Sequence, residues 1–224
     1  SESSISIQGH GDHTAHEEMC SSLSERSDIR LIRDKFDEDV ARDIIHLHTV
    51  GSRVWRKLRQ PGPKKVVSSH VVPDSFVGSL LGAQLWRPVA SWYLRWFYNQ
   101  ADLVLAVSPD TRDSLVKLGI KKPIEVLCNS IDTTRYRLPD VSKKRSEQRK
   151  KYGISNDRFV VIGAGQVQPR KRVDLFLKAA KARPDIDFIW VGGIPFGRLA
   201  AEHADMAKLM ATKLPNLKFT GMVE

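Results

Sequence analysis

Residues 158–182 read RFVVIGAGQVQPRKRVDLFLKAAKA, and they carry the clearest signals of the fold class. The apolar run Phe159–Gly163 is typical of a buried strand, and the spacing of apolar residues in Val173–Ala182 predicts a helix. Between them lies a turn that contains Gly165 and the basic run Arg170–Arg172. Backbone N–H groups at a helix start attract anions, and glycine lets a phosphate approach closely. The stretch therefore predicts a strand–turn–helix unit that binds a phosphate group.

Two other interpretations of this turn compete with phosphate binding. A dinucleotide-binding turn requires a third glycine, where this chain has Gln168, and an acidic residue after the next strand, where it has Val191-Gly192-Gly193. Binding of NAD is therefore disfavoured. The plainer alternative, a basic helix start whose charges are simply solvated, stays open.

Strands and helices alternate on both sides of this unit. Further buried strands are predicted at Ile44–Leu47, Lys65–Ser68, Leu103–Val107, Ile124–Leu127, Asp187–Val191 and Leu217–Thr220. Helices are predicted over Ser75–Gln100, with a break near Pro88, and over Ser108–Leu118, which Gly119 ends. This order predicts an α/β fold with parallel sheets that are covered by helices.

A charged stretch divides the alternating pattern into two parts. Lys143–Lys151 has few apolar residues and is typical of a solvated linker or a surface helix. We predict an N-terminal domain over residues 1–140, a basic linker over 141–157 and a C-terminal domain over 158–224. The C-terminal domain has three predicted strands and is expected to be incomplete, since doubly wound sheets usually carry about five or six. A second copy of the chain would cover its unpaired edge, which favours a homo-oligomer.

The composition is that of a globular protein with excess positive charge. The 224 residues include 36 Lys and Arg against 26 Asp and Glu, a net charge of +10. This charge favours an anionic partner: a nucleotide, a nucleic acid or a lipid headgroup. Nucleic acid is disfavoured because no known nucleic-acid-binding motif occurs. The two cysteines are far apart, no signal segment or membrane-spanning stretch is recognisable, and a cytoplasmic location is expected.

Two segments that contain histidine are candidates for a site in the first domain. His70 follows a predicted strand, at the end where open parallel sheets bind ligands, although a structural role is the alternative. Near the N-terminus, three histidines and an aspartate occur within Gly9–Glu17. A metal site is one interpretation, but one local turn rarely completes a metal's ligand shell, which favours a ligand-facing loop with Gly9, Gly11 and His13. His46 and His48 alternate along a strand and would face the same side.

The segment 80–97 carries three of the five tryptophans, interleaved with arginines. Tryptophan favours the water–lipid boundary and arginine favours anionic headgroups. The nearby run Arg53–Lys65 holds six Lys or Arg and no acidic residue. These patterns predict contact with an anionic membrane surface through Trp86, Arg87, Trp92 and Arg95. The alternative is that Trp92 and Trp96, four residues apart, face the core.

Six segments occur in the order found in one enzyme family. They are Asp43-Ile-Ile-His46-Leu-His48, Ser69-His70, Ala101–Ser108, Leu127–Asp132 with Tyr136, Gly165–Asp174 and Ile189–Gly193. Together they resemble a retaining glycosyltransferase of family 4, with the GT-B architecture of two Rossmann-like domains. The resemblance implies that His70 lies by the reacting sugar. It also implies a donor-binding set, which consists of Gly165, Gln166, Arg170, Lys171, Gly192 and Gly193.

Within the family, the segments around Arg170 and over Phe188–Gly197 are most similar to bacterial enzymes that add a second hexose to a monoglycosyl-diacylglycerol. Gln166 and Arg172 depart from the arginine and glycine that are usual in the family. The family's glutamate-containing segment would lie beyond Glu224, so these 224 residues alone are expected to be inactive as a transferase.

The resemblance implies transfer of a hexose from a nucleotide sugar, UDP-glucose or UDP-galactose, to a membrane glycolipid or lipid-linked acceptor. It implies no metal or other cofactor, and a peripheral position on the inner face of the plasma membrane. A non-catalytic nucleotide-binding or membrane-docking module is the alternative function.

Overall fold

A computed structural model describes residues 11–33, 41–75, 83–137, 139–194 and 203–223. The chain divides into two compact units. The first contains residues up to 75 together with 85–132, and the second consists mainly of residues from 133 onward.

The first unit is built on a parallel sheet of four strands. Its strands are β1 (Ile44–Leu47), β2 (Lys64–Ser69), β3 (Leu103–Ala106) and β4 (Ile124–Val126), hydrogen-bonded in that order. Its helices are α1 (Gly11–Ser24), α2 (Ser52–Leu58), α3 (Ala83–Tyr98) and α4 (Pro109–Leu118).

The second unit contains helix α5 (Val141–Lys151) and a parallel sheet of three strands. These are β5 (Val160–Ala164), β6 (Asp187–Val191) and β7 (Leu217–Phe219), again in sequential order. Its other helices are α6 (Val173–Ala182) and α7 (His203–Ala211). The two units together confirm the prediction of an α/β protein with parallel sheets.

Helix α4 shows how local sequence fixes an element. The Ser108 hydroxyl accepts a hydrogen bond from the Thr111 N–H at 3.1 Å, and Pro109 occupies the first helical position. Gly119 ends the helix with a φ of +86°, a left-handed conformation that glycine adopts without strain. The predicted helix and both of its boundary signals are confirmed.

Helix α3 departs from the predicted Ser75–Gln100 in its bounds and at the proline, since Ser75 belongs to a separate 3₁₀ turn. It runs from Ala83 through Pro88 to Tyr98, so the predicted break at the proline is wrong. Pro88 lies in the second turn of the helix and has no backbone N–H. The helix therefore lacks one hydrogen bond, to a carbonyl of its first turn. Leu94 and Phe97 are fully buried and hold the rest of the helix against the core. Packing therefore outweighs the local cost of the proline.

The core of the second unit forms between α6 and the sheet. Val173, Leu177 and Ala180 are buried on one side of α6. The ring of Phe176 meets those of Phe188 and Trp190 edge to face, with centroids 5.4 and 5.2 Å away. Such aromatic pairs add about 0.5–1.5 kcal/mol beyond their buried area.

The charged stretch that was predicted as a linker or a surface helix is the surface helix α5. Asp140 caps it by accepting a hydrogen bond from the Lys143 N–H at 2.9 Å. Arg149 is buried, and its guanidinium donates to the main-chain carbonyls of Ser155 and Arg158, which ties α5 to the chain that enters β5.

None of the helices in the described part of the chain combines the length and the apolar character that crossing a bilayer requires.

Candidate functional site

The turn that follows β5 lies against the residues that follow β6. The Gly165 N–H donates to the carbonyl of Val191 at 2.9 Å, and the Val167 N–H donates to the carbonyl of Gly193 at 2.9 Å. Both loops extend from the carboxyl ends of parallel strands. The fold therefore brings Gly165, Gly192 and Gly193 together, and their role in donor binding stays a prediction. We call residues Gly165–Arg172 the phosphate turn.

Close approach at this edge requires glycine. Gly192 has a φ of +135°, and a Cβ added to it would lie 2.1 Å from the carbonyl oxygen of Gly165. That same oxygen accepts a hydrogen bond from the Trp190 indole N–H at 3.0 Å. The indole and Gly192 thus fix the position of the first residue of the phosphate turn.

Two basic side chains of the phosphate turn face solvent. Arg170 and Lys171 are exposed, and both belong to a short 3₁₀ turn just before α6. The Arg170 Nε–H donates to the side-chain oxygen of Gln168 at 2.9 Å, and Gln168 itself is only 1% exposed. Gln168 therefore orients Arg170, a role that the sequence did not reveal because the residue was noted only as a missing glycine. Gln166 is half-buried beside them.

Arg172 occupies a position that favours glycine. Its φ is +52°, and among the described residues it is the one non-glycine residue with a positive φ. This conformation costs about 1–2 kcal/mol for a residue with a side chain. The guanidinium forms two hydrogen bonds of 3.0 Å with the carboxylate of Asp174, and these lower the pKa of that carboxyl. Arg172 is thus directed to its own helix, which leaves Arg170 and Lys171 to face an anion.

Four histidines converge at the carboxyl ends of β1 and β2 in the first unit. They are His16 from α1, His46 and His48 from β1 and the residues after it, and His70 from the end of β2. The ring centroid of His48 lies 4.3 Å from that of His46, 4.9 Å from that of His16 and 5.6 Å from that of His70. We call these four residues the histidine cluster.

One polar contact joins two members of the cluster, and another joins a member to a neighbouring serine. His46 Nε2 lies 2.8 Å from the hydroxyl oxygen of Ser68, and His48 Nδ1 lies 3.3 Å from His70 Nε2. His48 is buried, whereas His70 is only half-buried. His70 is thus accessible from solvent while a buried histidine supports it from behind.

The surroundings of His46 and His48 favour the neutral form of both imidazoles. Burial, together with the smaller effects of the His16 and His70 imidazoles, lowers the pKa of His46 to about 4. Burial also lowers the pKa of His48 to about 2, with the three neighbouring imidazoles acting in the same direction. A proton on either ring would be poorly solvated and would repel any charge on its neighbours.

Helix α3 anchors the loops that carry these histidines. The Tyr93 hydroxyl donates to the carbonyl of Val50 at 2.6 Å, two residues after His48. The Tyr98 hydroxyl donates to the carbonyl of Val71 at 2.6 Å, immediately after His70. Burial raises the pKa of Tyr98 to about 12, so it remains a donor.

The structure corrects the predicted N-terminal loop. Helix α1 begins at Gly11, so Gly11 and His13 lie in its first turn and not in a loop. Gly9 lies outside the described residues. The member of this histidine-rich segment that reaches the cluster is His16, which the sequence grouped only with its neighbours along the chain. Among the described residues, no group of three or more His, Cys, Asp or Glu side chains has the geometry of a metal site.

The outer surface of α3 carries an apolar stripe. Leu85, Val89 and Trp92 recur every three to four residues and are 88%, 67% and 67% exposed. Trp96 instead packs against Trp55 of α2, with ring centroids 6.0 Å apart. Trp92 therefore faces outward, as the membrane interpretation predicts, whereas Trp96 faces inward, as the alternative predicts.

The predicted membrane-contacting residues differ in how they are presented. Arg95 is exposed, like Trp92, whereas Trp86 is half-buried. Arg87 is exposed but forms an ion pair with Asp74, with nitrogen–oxygen distances of 2.8 and 2.9 Å. Part of its charge is therefore already matched within the protein. Leu85 and Val89 were missed because the sequence reasoning followed tryptophan and arginine alone.

Comparison with curated proteins relates the chain to enzymes that glycosylate lipids. It is 28% identical over 99% of its length to alpha-galactosylglucosyldiacylglycerol synthase of Streptococcus pneumoniae, and covers 59% of that protein. It is 26% identical over 81% of its length to processive diacylglycerol alpha-glucosyltransferase of Acholeplasma laidlawii, and covers 53% of it. The chain thus spans somewhat more than half the length of these relatives.

Solved structures share the fold. Anabaena HepE in complex with UDP-glucose superposes with a TM-score of 0.63 at 20% identity, over 81% of this chain and 49% of that one. Sucrose-phosphate synthase from Thermosynechococcus elongatus superposes with a TM-score of 0.62 at 15% identity, over 81% and 46%. Both superpositions support the GT-B architecture for this chain. Residues 20–135 match the profile of Glycosyltransferase Family 4, and the chain belongs to this family.

Proposed function

We propose that the chain carries the donor diphosphate site and the histidine cluster of a retaining hexosyltransferase that extends a membrane glycolipid. The donor is a UDP-hexose, glucose or galactose, and the acceptor is a glycosylated diacylglycerol or another lipid-linked sugar. The phosphate turn carries this proposal, because it joins a glycine edge, a helix start and two exposed basic side chains in one place.

The phosphate turn supplies electrostatic catalysis in this proposal. Departure of UDP places negative charge on the diphosphate, and Arg170, Lys171 and the N–H groups at the start of α6 stabilise that charge. Gln168 holds Arg170 in place, so little reorganisation is needed as the charge develops. No step of this scheme calls for a metal ion.

His70 is the residue of the first unit that contacts the transferred sugar in this proposal. It is half-buried at the carboxyl end of β2, where open parallel sheets bind ligands. A neutral imidazole offers one donor and one acceptor to sugar hydroxyls.

The direct test is product analysis. The full-length protein is incubated with UDP-glucose or UDP-galactose and vesicles that contain monoglucosyldiacylglycerol, and the lipids are examined by mass spectrometry and NMR. A diglycosyl lipid with an α-linked second hexose supports the proposal. Binding of UDP without any lipid product would instead favour a nucleotide-binding module.

The Lys171 ammonium is expected to contribute to UDP affinity. Replacing Lys171 with alanine should weaken UDP binding by about 1.5–3 kcal/mol, the range for a hydrogen bond to a charged group. Isothermal titration calorimetry measures this directly. Lys178→Ala is the matched control, because Lys178 is also exposed but lies on α6, seven residues after Lys171. Equal affinity of the two variants would remove Lys171 from the site.

The apolar stripe on α3 and the basic helix α2 are proposed to bind the inner face of the plasma membrane. Trp92→Ala should reduce sedimentation with anionic vesicles several-fold, because the substitution removes the apolar area that the indole would bury in the membrane. Val116→Ala is the control, because Val116 is a similarly exposed apolar residue on α4. Basic residues add about 1 kcal/mol each near an anionic surface. Binding that is equal on neutral and anionic vesicles, or insensitive to salt, would contradict this surface.

A further inference from the structure

The contact between His48 and His70 has an unusual geometry. His48 Nδ1 and His70 Nε2 are 3.3 Å apart, the ring centroids are 5.6 Å apart, and the ring planes differ by only 22°. The centroid separation exceeds the nitrogen separation by about one ring radius on each side. The two nitrogens therefore point at each other, end to end, in nearly coplanar rings.

This arrangement is that of an N–H···N hydrogen bond. A metal ion between the two nitrogens would need their lone pairs to converge at an angle, whereas here they lie along one line. A hydrogen bond needs a proton on one nitrogen and a lone pair on the other. Protons on both nitrogens would repel, and two lone pairs would leave a polar contact unsatisfied.

We propose that His48 is a positioning residue for His70: the pair shares one proton along this contact, which fixes the ring orientation and the tautomer that His70 presents to the sugar. If His48 donates from Nδ1, then His70 accepts at Nε2 and must carry its own proton on Nδ1. If His70 donates from Nε2, then His48 must carry its proton on Nε2. Both rings therefore hold the same tautomer.

The surroundings of His48 hold it in place. The ring of His46 lies against it, and the ring of His16 meets it at 76°, so His48 is packed on two sides. His46 is held in turn by its contact with Ser68. Burial disfavours the protonated form of His48, which keeps the shared proton single over the working pH range. A packed, neutral partner can orient a half-buried histidine.

The role of His70 in transfer rests on the proposed function, but the shared proton can be tested without it. Protein labelled with ¹⁵N-histidine is measured by long-range ¹H–¹⁵N NMR, which distinguishes the Nδ1–H from the Nε2–H tautomer. We expect His48 and His70 to show the same neutral tautomer. Opposite tautomers, or a charged His48 at neutral pH, would overturn the proposal whether or not the protein transfers sugar.

Kinetics of the full-length protein test whether His48 acts through His70. His70→Ala is expected to lower kcat about tenfold or more, and His48→Phe, which keeps an aromatic ring but removes both nitrogens, about fivefold with little change in KM for the donor. His48→Asn should recover most of the loss, because its amide places a polar atom near the position of Nδ1. His48→Phe should add nothing in the His70→Ala background. Additive losses, or a failure of asparagine to restore kcat in a folded protein, would overturn the positioning role.

Discussion

Replacing Gly192 with alanine is expected to destabilise the second unit by about 2–5 kcal/mol, from backbone strain and overpacking together. The φ of Gly192 is +135°, a region that essentially only glycine adopts, and the new Cβ would lie 2.1 Å from the carbonyl oxygen of Gly165. That oxygen belongs to the backbone and is also bonded to the Trp190 indole, so it cannot move aside without moving the phosphate turn. UDP binding should weaken with stability. Chemical unfolding followed by circular dichroism gives the free energy, and calorimetry gives the UDP affinity.

Gly221→Ala is the matched control for this substitution. Gly221 also belongs to the second unit and has a φ of +71°, but an added Cβ would have nothing within 4 Å. It should therefore lose only about 1 kcal/mol, the cost of a left-handed residue without a clash. If Gly192→Ala were no more harmful than Gly221→Ala, the close approach of the two loops would be wrong.

Elements whose local signals agree with their packing were predictable from the sequence. Helix α4 carries a serine cap, a first-turn proline and a terminal glycine, and helix α6 and strand β6 have the predicted bounds. Helix α3 was only partly predictable because Pro88 signals a break locally, whereas burial of Leu94 and Phe97 is decided by the whole unit. Features that depend on neighbouring residues in the chain could be predicted from the sequence, whereas features that depend on long-range packing could not.

The candidate site divides in the same way. The phosphate turn is continuous in sequence, so its glycine and its basic run could be recognised. The two glycines after β6 could be placed because they directly follow a strand that the sequence predicts. The histidine cluster draws on α1, β1 and β2, and His16 reaches it only because the fold returns α1 to the sheet. The alternation of His46 and His48 indicated that both side chains lie on the same side of the strand, and their rings are in fact adjacent. It did not indicate which other side chains would contact them. Gln168 is a similar case, because its role is to orient the Arg170 side chain, and this contact is visible only in the structure.

The second large effect is expected from the pH dependence of folding in the first unit. The pKa of His46 is lowered from 6.5 to about 4 in the folded protein, chiefly by burial. Between these two values the unfolded chain binds a proton that the folded protein does not, so the free energy of unfolding falls as the pH falls. The slope for one histidine is about 1.4 kcal/mol per pH unit. The contribution is fully present above pH 6.5 and is lost progressively toward pH 4.

His46→Gln isolates this contribution, because glutamine can still reach the hydroxyl of Ser68 but does not titrate. Carboxylates such as Asp102, whose pKa is lowered by a hydrogen bond from the Lys65 N–H, also make stability depend on pH, but they are common to both proteins and cancel in the difference. Urea unfolding followed by tryptophan fluorescence reports mainly on the first unit, which holds four of the five tryptophans. Relative to the variant, the wild-type protein should lose about 2 kcal/mol between pH 6.5 and pH 5. A difference that stays constant over this range would mean that His46 is not buried in the neutral form, and the close packing of the histidine cluster would then be wrong as well.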